Sequence, residues 1–240
     1  MTARAADATG AASDRDGPLP RLLFVLTVVT GLVDAVSYLA LGHVFVANMT
    51  GNVVFLGFAG AGAHDFSIPA SLLAIAAFLV GALTGGRLAS RVGHHRGRLL
   101  AYAVLGNSAL IGAALVVAIA AGDPVSDPVQ YALIVLLAVA MGLQNAVARR
   151  LAVPDLTTTV LTLTLTGLAA DSTPAGGNSP RAGRRSLATG AMLLGAAVGA
   201  LLLLRVGVAA ALAPALALVL LTGVAAYRES SSSAAWTVGS

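Results

Sequence analysis

The sequence predicts an all-α fold, a polytopic membrane protein with six long transmembrane helices plus two short re-entrant or broken helices, arranged as two inverted repeats. Composition is the first observation behind this. The 240 residues are 58% hydrophobic and 10% charged, with a mean hydropathy of +0.89, whereas a soluble domain carries about 25% charged residues. Second, runs of roughly 20 apolar residues, the length that crosses about 30 Å of hydrocarbon as a helix, recur along the chain. Third, segments of the first half are echoed in the second at nearly constant spacing.

Residues 1–20 are rich in Ala, Asp, Gly and Pro and are expected to form a disordered cytoplasmic tail. The first membrane repeat, 21–121, holds the apolar runs Leu22–Leu41, Ile68–Leu88 and Leu99–Ala121. The second, 122–227, holds Val129–Val147, Leu187–Leu204 and Val206–Ala226. Residues 228–240 are serine-rich and polar, expected to be a second disordered tail. Each repeat also contains a short apolar stretch, Val53–Ala63 and Val160–Ala170. Eleven residues of helix cover only about 16 Å, half a bilayer, so these read as re-entrant segments or half-helices.

Gly31-Leu32-Val33-Asp34-Ala35 is echoed 111 residues later by Gly142-Leu143-Gln144-Asn145-Ala146. Gly81-Ala82-x-x-Gly85, with Arg91-Val92-Gly93 beyond it, is echoed 114 residues later by Gly195-Ala196-x-x-Gly199 and Arg205-Val206-Gly207. Similar shifts in the same order indicate a duplication. Arginine placement then selects the topology, because cytoplasmic flanks carry the excess of positive charge. If both short stretches enter and leave on one side, every arginine except Arg205 falls on the side of the termini. If both cross, the arginines divide about evenly. Three spans per repeat is an odd number, so the second copy is inverted, the arrangement in which secondary transporters place broken helices at a midplane site.

The pI near 10.3 does not point to nucleic acid, because the 14 basic residues are all arginines scattered at the ends of apolar runs. The absence of cysteine excludes disulfides, thiolate metal sites and cysteine catalysis. His94 and His95 lie in an arginine-rich loop with no third ligand at metal-binding spacing. No phosphate-binding Gly-Lys-Ser loop, His-Glu-x-x-His pair or nucleophile elbow is present. The expectation is no enzyme activity, no cofactor and no metal, with the lipid bilayer and a small polar solute or ion as partners and a homo-oligomer left open.

The motifs Gly31-Leu-Val-Asp34-Ala-Val-Ser37-Tyr38, Val44-Phe-Val-Ala-Asn48-Met-Thr50-Gly51-Asn52 and Gly142-Leu-Gln144-Asn145-Ala146 resemble those of the YoaK-like DUF1275 family of bacterial membrane proteins. The resemblance runs from about Arg21 to Tyr227. It implies a multispanning bacterial membrane protein and says little about chemistry, since the family's function is unknown. Where the family pattern has Thr-Thr-x-x-Thr-Gly in its second half, this chain has Thr158-Thr159-Val160-Leu161-Thr162-Leu163, without the glycine.

Ten residues are candidates for a substrate or ion site. Asp34, with Tyr38 on the same helical face, is a carboxylate inside an apolar run and a default functional hypothesis as a proton or cation site; the alternative is a structural partner for a neighbouring polar group. Asn48, Thr50, Gly51 and Asn52 read as a polar break before a short helix, suited to an anionic or polar ligand group or equally to a helix cap. Gln144 and Asn145 stand where the first repeat has Asp34, and would face it across the site or bond between helices. Thr159 and Thr162 share a helical face and line the second break or bond their own carbonyls. Asp155 and Asp171 bracket that stretch and read as solvated loop residues. Arg149 lies four residues from Asn145 and could reach the site or anchor the interface. The function expected is a secondary transporter or permease for a small polar solute, with proton coupling through Asp34 as one option. A channel-like pore and a non-transporting scaffold or partner subunit are the alternatives.

Overall fold

Six long apolar helices and two short ones account for nearly all of the computed structural model, which describes residues 16–156, 158, 161–179, 181–230 and 235–237. In chain order they are α1 Leu19–Ala40, α2 Met49–Gly60, α3 Ile68–Val92, α4 Arg96–Ala121, α5 Asp127–Leu151, α6 Leu161–Ala170, α7 Ala182–Arg205 and α8 Val208–Ser230. Among the described residues all regular structure is helical. The helices long and apolar enough to cross a membrane are α1, α3, α4, α5, α7 and α8.

Their ends follow from local chemistry. Proline falls in the first turn of α3 and α5, where its missing N–H leaves no bond unmade. Ser67 Oγ accepts from Ala70 N at 3.3 Å and caps α3. His95 Nδ1 accepts from Arg98 N at 3.2 Å and caps α4, so the histidine of the basic loop is a helix cap.

α1 and α5 form the centre, with 72% and 61% of their most apolar windows buried against 17% for α7. α1 packs on α7 and α8, and α5 on α3 and α4; α4 meets α8, α2 lies on α3, and α6 lies on α7. Exchanging α1, α2, α3 and α4 with α5, α6, α7 and α8 carries α1·α7 onto α5·α3, α1·α8 onto α5·α4, α2·α3 onto α6·α7, and α4·α8 onto itself. The helix pairings of the two halves therefore match.

Small residues permit the two tightest crossings. A Cβ placed on Gly31 would lie 2.7 Å from the backbone N of Ala196, and one on Gly142 would lie 2.8 Å from the backbone N of Ala82. Gly195 faces the backbone of Val28, and Gly81 that of Val139. A Cβ on Gly199 would meet Leu32 O, and one on Gly85 Leu143 O, each at 2.9 Å. The Gly-x-x-x-Gly motifs are spent inside the chain, α1 against α7 and α5 against α3.

One end of the bundle is fixed by Arg96. Its Nη2 donates to Asp16 Oδ1 at 3.0 Å and to Leu151 O at 2.8 Å, joining the start of α1, the start of α4 and the end of α5. Leu19 is fully buried, and the ring of the buried Trp236 covers Gly17.

The polar motif after α1 differs from expectation. The irregular backbone spans residues 41–48, and Met49 to Asn52 form the first turn of α2 instead of an unwound break. The physical reason is Asn52, fully buried, which accepts from Phe45 N at 2.8 Å and donates to Phe45 O at 2.6 Å. A helical asparagine thus satisfies the backbone of the loop that precedes its own helix.

Candidate functional site

Asp34 sits near the end of α1, buried, and its Oδ1 accepts from Ala47 N at 2.9 Å and Val46 N at 3.2 Å. The loop leaving α1 must therefore turn back beside the helix it has just left. Asp34 and Asn52 together hold Phe45, Val46 and Ala47, and this sets where α2 begins. Of the two roles expected for Asp34, its geometry is that of the structural partner.

Around this loop lies a cluster of rings. Tyr38 stacks on Phe45 at a centroid distance of 5.0 Å, Phe55 stacks on Phe66 at 4.8 Å, and His43 and Phe58 complete the group. Tyr38 thus belongs to the aromatic packing between α1, α2 and the start of α3.

The second short helix is held by charge. Arg185, in the first turns of α7, donates from Nε to Asp155 Oδ1 at 3.0 Å and from Nη1 to Asp171 Oδ2 at 2.6 Å and to Gly167 O. Arg181 adds a 3.2 Å pair to Asp155. Asp155 and Asp171, expected to be solvated loop residues, are ion-paired, because the two ends of the α6 hairpin converge on one guanidinium. The fork geometry of arginine suits such a double partner.

Between the halves lies a cavity of about 1330 Å³. The first half lines it with Asn48, Thr50, Gly51 and Phe55 from the start of α2, and with Phe78, Ala82, Gly86 and Ser90 along α3. The second half supplies Asn145, Arg149 and Arg150 from the end of α5, Leu161 and Thr162 from the start of α6, and Met192 from α7. Both short helices present their N-terminal turns to the same space, which carries the partial positive charge of unsatisfied N–H groups. Phe55 belongs to both the cavity wall and the ring cluster.

Of the ten candidates, the cavity brings together Asn48, Thr50, Gly51, Asn145 and Thr162. Asp34, Tyr38, Asn52 and Gln144 lie outside it. Gln144 is buried in a three-helix network, donating from Nε2 to Thr30 Oγ1 at 2.9 Å and accepting from Asn107 Nδ2 at 2.8 Å. Thr159 lies outside the described residues. Arg150, Ser90 and Phe78 were not anticipated, since apolar patterning does not reveal which helices meet; Arg149 was signalled by its spacing from Asn145.

The fold and the cavity define a multispanning α-helical membrane protein with a chamber between its two halves. Its family is shown by comparison: the chain belongs to the family described as "Protein of unknown function (DUF1275)", which matches residues 22–225. It is 35% identical over 150 residues to the UPF0700 transmembrane protein YoaK of Bacillus subtilis (strain 168), a match covering 62% of this chain and 65% of that protein's length. No solved structure matches.

Proposed function

We propose that the protein is a secondary transporter of the carrier type for a small polar solute, rather than an enzyme, set in a bacterial plasma membrane with both termini cytoplasmic and its two three-span halves inverted. The observation that carries this is the cavity, which is lined by the first turn of a short helix from each half. Irregular backbone at membrane depth is tolerated where it is buried or lines a cavity, and paired half-helices at such a place suit a solute site between two moving halves. Inversion is supported by Arg96, which joins the start of α1 to the end of α5, its counterpart in the other half.

A carrier is favoured over a channel by the contrast between the two sides of the chamber. At the Arg149 side the lining residues Ser90, Arg149 and Arg150 are exposed, whereas Phe55 abuts the cluster of Tyr38, His43, Phe45, Phe58 and Phe66. A chamber accessible from one side and blocked by packed rings on the other fits alternating access. Asp34 serves it as the post that positions α2, so proton coupling is not needed to explain this carboxylate.

The test uses proteoliposomes incubated with a desalted bacterial small-molecule extract, washed, and examined by mass spectrometry for solutes enriched inside. Gly86 lines the cavity and a Cβ there meets nothing within 4 Å, so Gly86→Trp fills the chamber without forcing backbone apart. Enrichment of a solute class by the parent, its loss in Gly86→Trp, and saturable exchange against internal solute are expected. Non-saturating flux would establish a pore, and no enrichment in either direction would leave the scaffold role.

A further inference from the structure

We propose that the chamber takes a small solute carrying an oxyanion group, a carboxylate or a phosphate, and that Arg149 is the residue that pairs with it. This rests on the cavity being the solute site. The first argument is charge. Among the described residues the ionisable side chains that line the cavity are Arg149 and Arg150, with no Asp or Glu. Elsewhere at the helix ends Arg96, Arg181 and Arg185 each have a carboxylate partner, while Arg149 and Arg150 have no ion pair among the described residues. Other arginines at the helix ends are unpaired too, but among those that line the cavity the positive charge has no carboxylate partner among the described residues.

The second argument is the backbone. α2 and α6 belong to different halves, yet both direct their first turns into the chamber, and Asn48 makes no side-chain cap bond to α2. The partial positive charge at two converging helix starts favours anionic oxygen over a cation. Carboxylate and phosphate match the planar fork of a guanidinium bidentately, which an amine or neutral polyol does not.

Geometry distinguishes the two arginines. Arg150 Nε lies 3.3 Å from where a Cβ on Gly93 would sit, against the end of α3. Arg149 stands one turn beyond Asn145, another lining residue, so amide and guanidinium share a face. The same oxyanion chemistry is offered by a lipid headgroup, and the experiment separates the two sources.

Protein purified in phosphatidylcholine nanodiscs is titrated with sodium phosphate, acetate and succinate at constant ionic strength, against sodium chloride and glycerol, with the midpoint of thermal unfolding as readout. The expected result is a saturable rise with at least one oxyanion, and a Kd weakened about tenfold or more in Arg149→Gln, the scale of one charge-assisted hydrogen bond. Arg98→Gln, an exposed arginine outside the cavity, should bind like the parent. If Arg149→Gln does not fold, Arg149→Lys retains the charge without the fork and should bind more weakly than the parent. No stabilisation by any oxyanion, or equal binding in the Arg149 variant that folds, overturns the proposal. So does stabilisation by phosphatidylglycerol that soluble oxyanions neither reproduce nor displace. Binding without flux in proteoliposomes would sink the carrier and keep the oxyanion site; flux of a cationic or neutral solute without oxyanion stabilisation would do the reverse.

Discussion

At the scale of single residues, a buried carboxylate in a membrane span invites a functional assignment, yet the Asp34 carboxylate spends one oxygen on two backbone N–H groups. An amide oxygen at the same position can accept both. Asp34→Asn is therefore expected to keep the fold, ligand binding and transport close to the parent. Asp34→Ala leaves the N–H groups of Val46 and Ala47 without an acceptor, at about 1–3 kcal/mol each, and should lower the unfolding midpoint in detergent. A folded Asp34→Asn protein that had lost pH-dependent uptake would show that the carboxylate carries protons as well. The sequence made Asp34 conspicuous but could not show its partner, because its bonds run to a loop 12 and 13 residues away whose course no periodicity encodes.

At the scale of elements, the two short helices occupy equivalent places but are held by different forces. α2 is fastened by ring stacking around Phe55 and by the Asn52 clasp, whereas α6 is fastened by Arg185 to Asp155, Asp171 and Gly167. Among the described residues each helix buries one side chain, Asn52 in α2 and Thr164 in α6. A single cysteine at Thr164 should react slowly with a thiol reagent in the cysteine-free parent and markedly faster once Arg185→Gln releases the hairpin. An unchanged rate would mean that packing on α7 suffices without the ion pairs. The six spans were legible because twenty-residue apolar runs admit no other element in a bilayer. The start of α2 was misjudged because Asn, Thr and Gly are equally at home in a loop and in a first helical turn. The cavity was only half legible: Asn48, Thr50, Gly51, Asn145 and Thr162 were found from polarity inside apolar surroundings, but membership depended on a helix crossing that no local pattern specifies.

At the scale of the whole molecule, the duplicated glycines produce two equivalent crossings, and the topology proposed for them can be tested by exploiting the absence of cysteine. Ser67 caps α3 and is better left intact, so the exposed Ala63 and Ala175 are the positions to replace. With a membrane-impermeant thiol reagent on intact cells, Ala63→Cys is expected to label and Ala175→Cys to be protected until the membrane is broken. Equal labelling at both would mean that a short helix crosses, and the two halves would then not be inverted.

The crossings also bear on how the chain is made. Gly31 meets Gly195, and Gly142 meets the backbone of Phe78 and Ala82, so α1 is inserted long before the helix it packs against has left the ribosome. Until then Thr27, Thr30, Asp34 and Ser37, all buried in the finished protein, would stand against lipid. The nascent first half is an unfinished object that needs shelter at the insertion machinery, and its two halves, expressed as separate polypeptides, should each be degraded alone and rescued together.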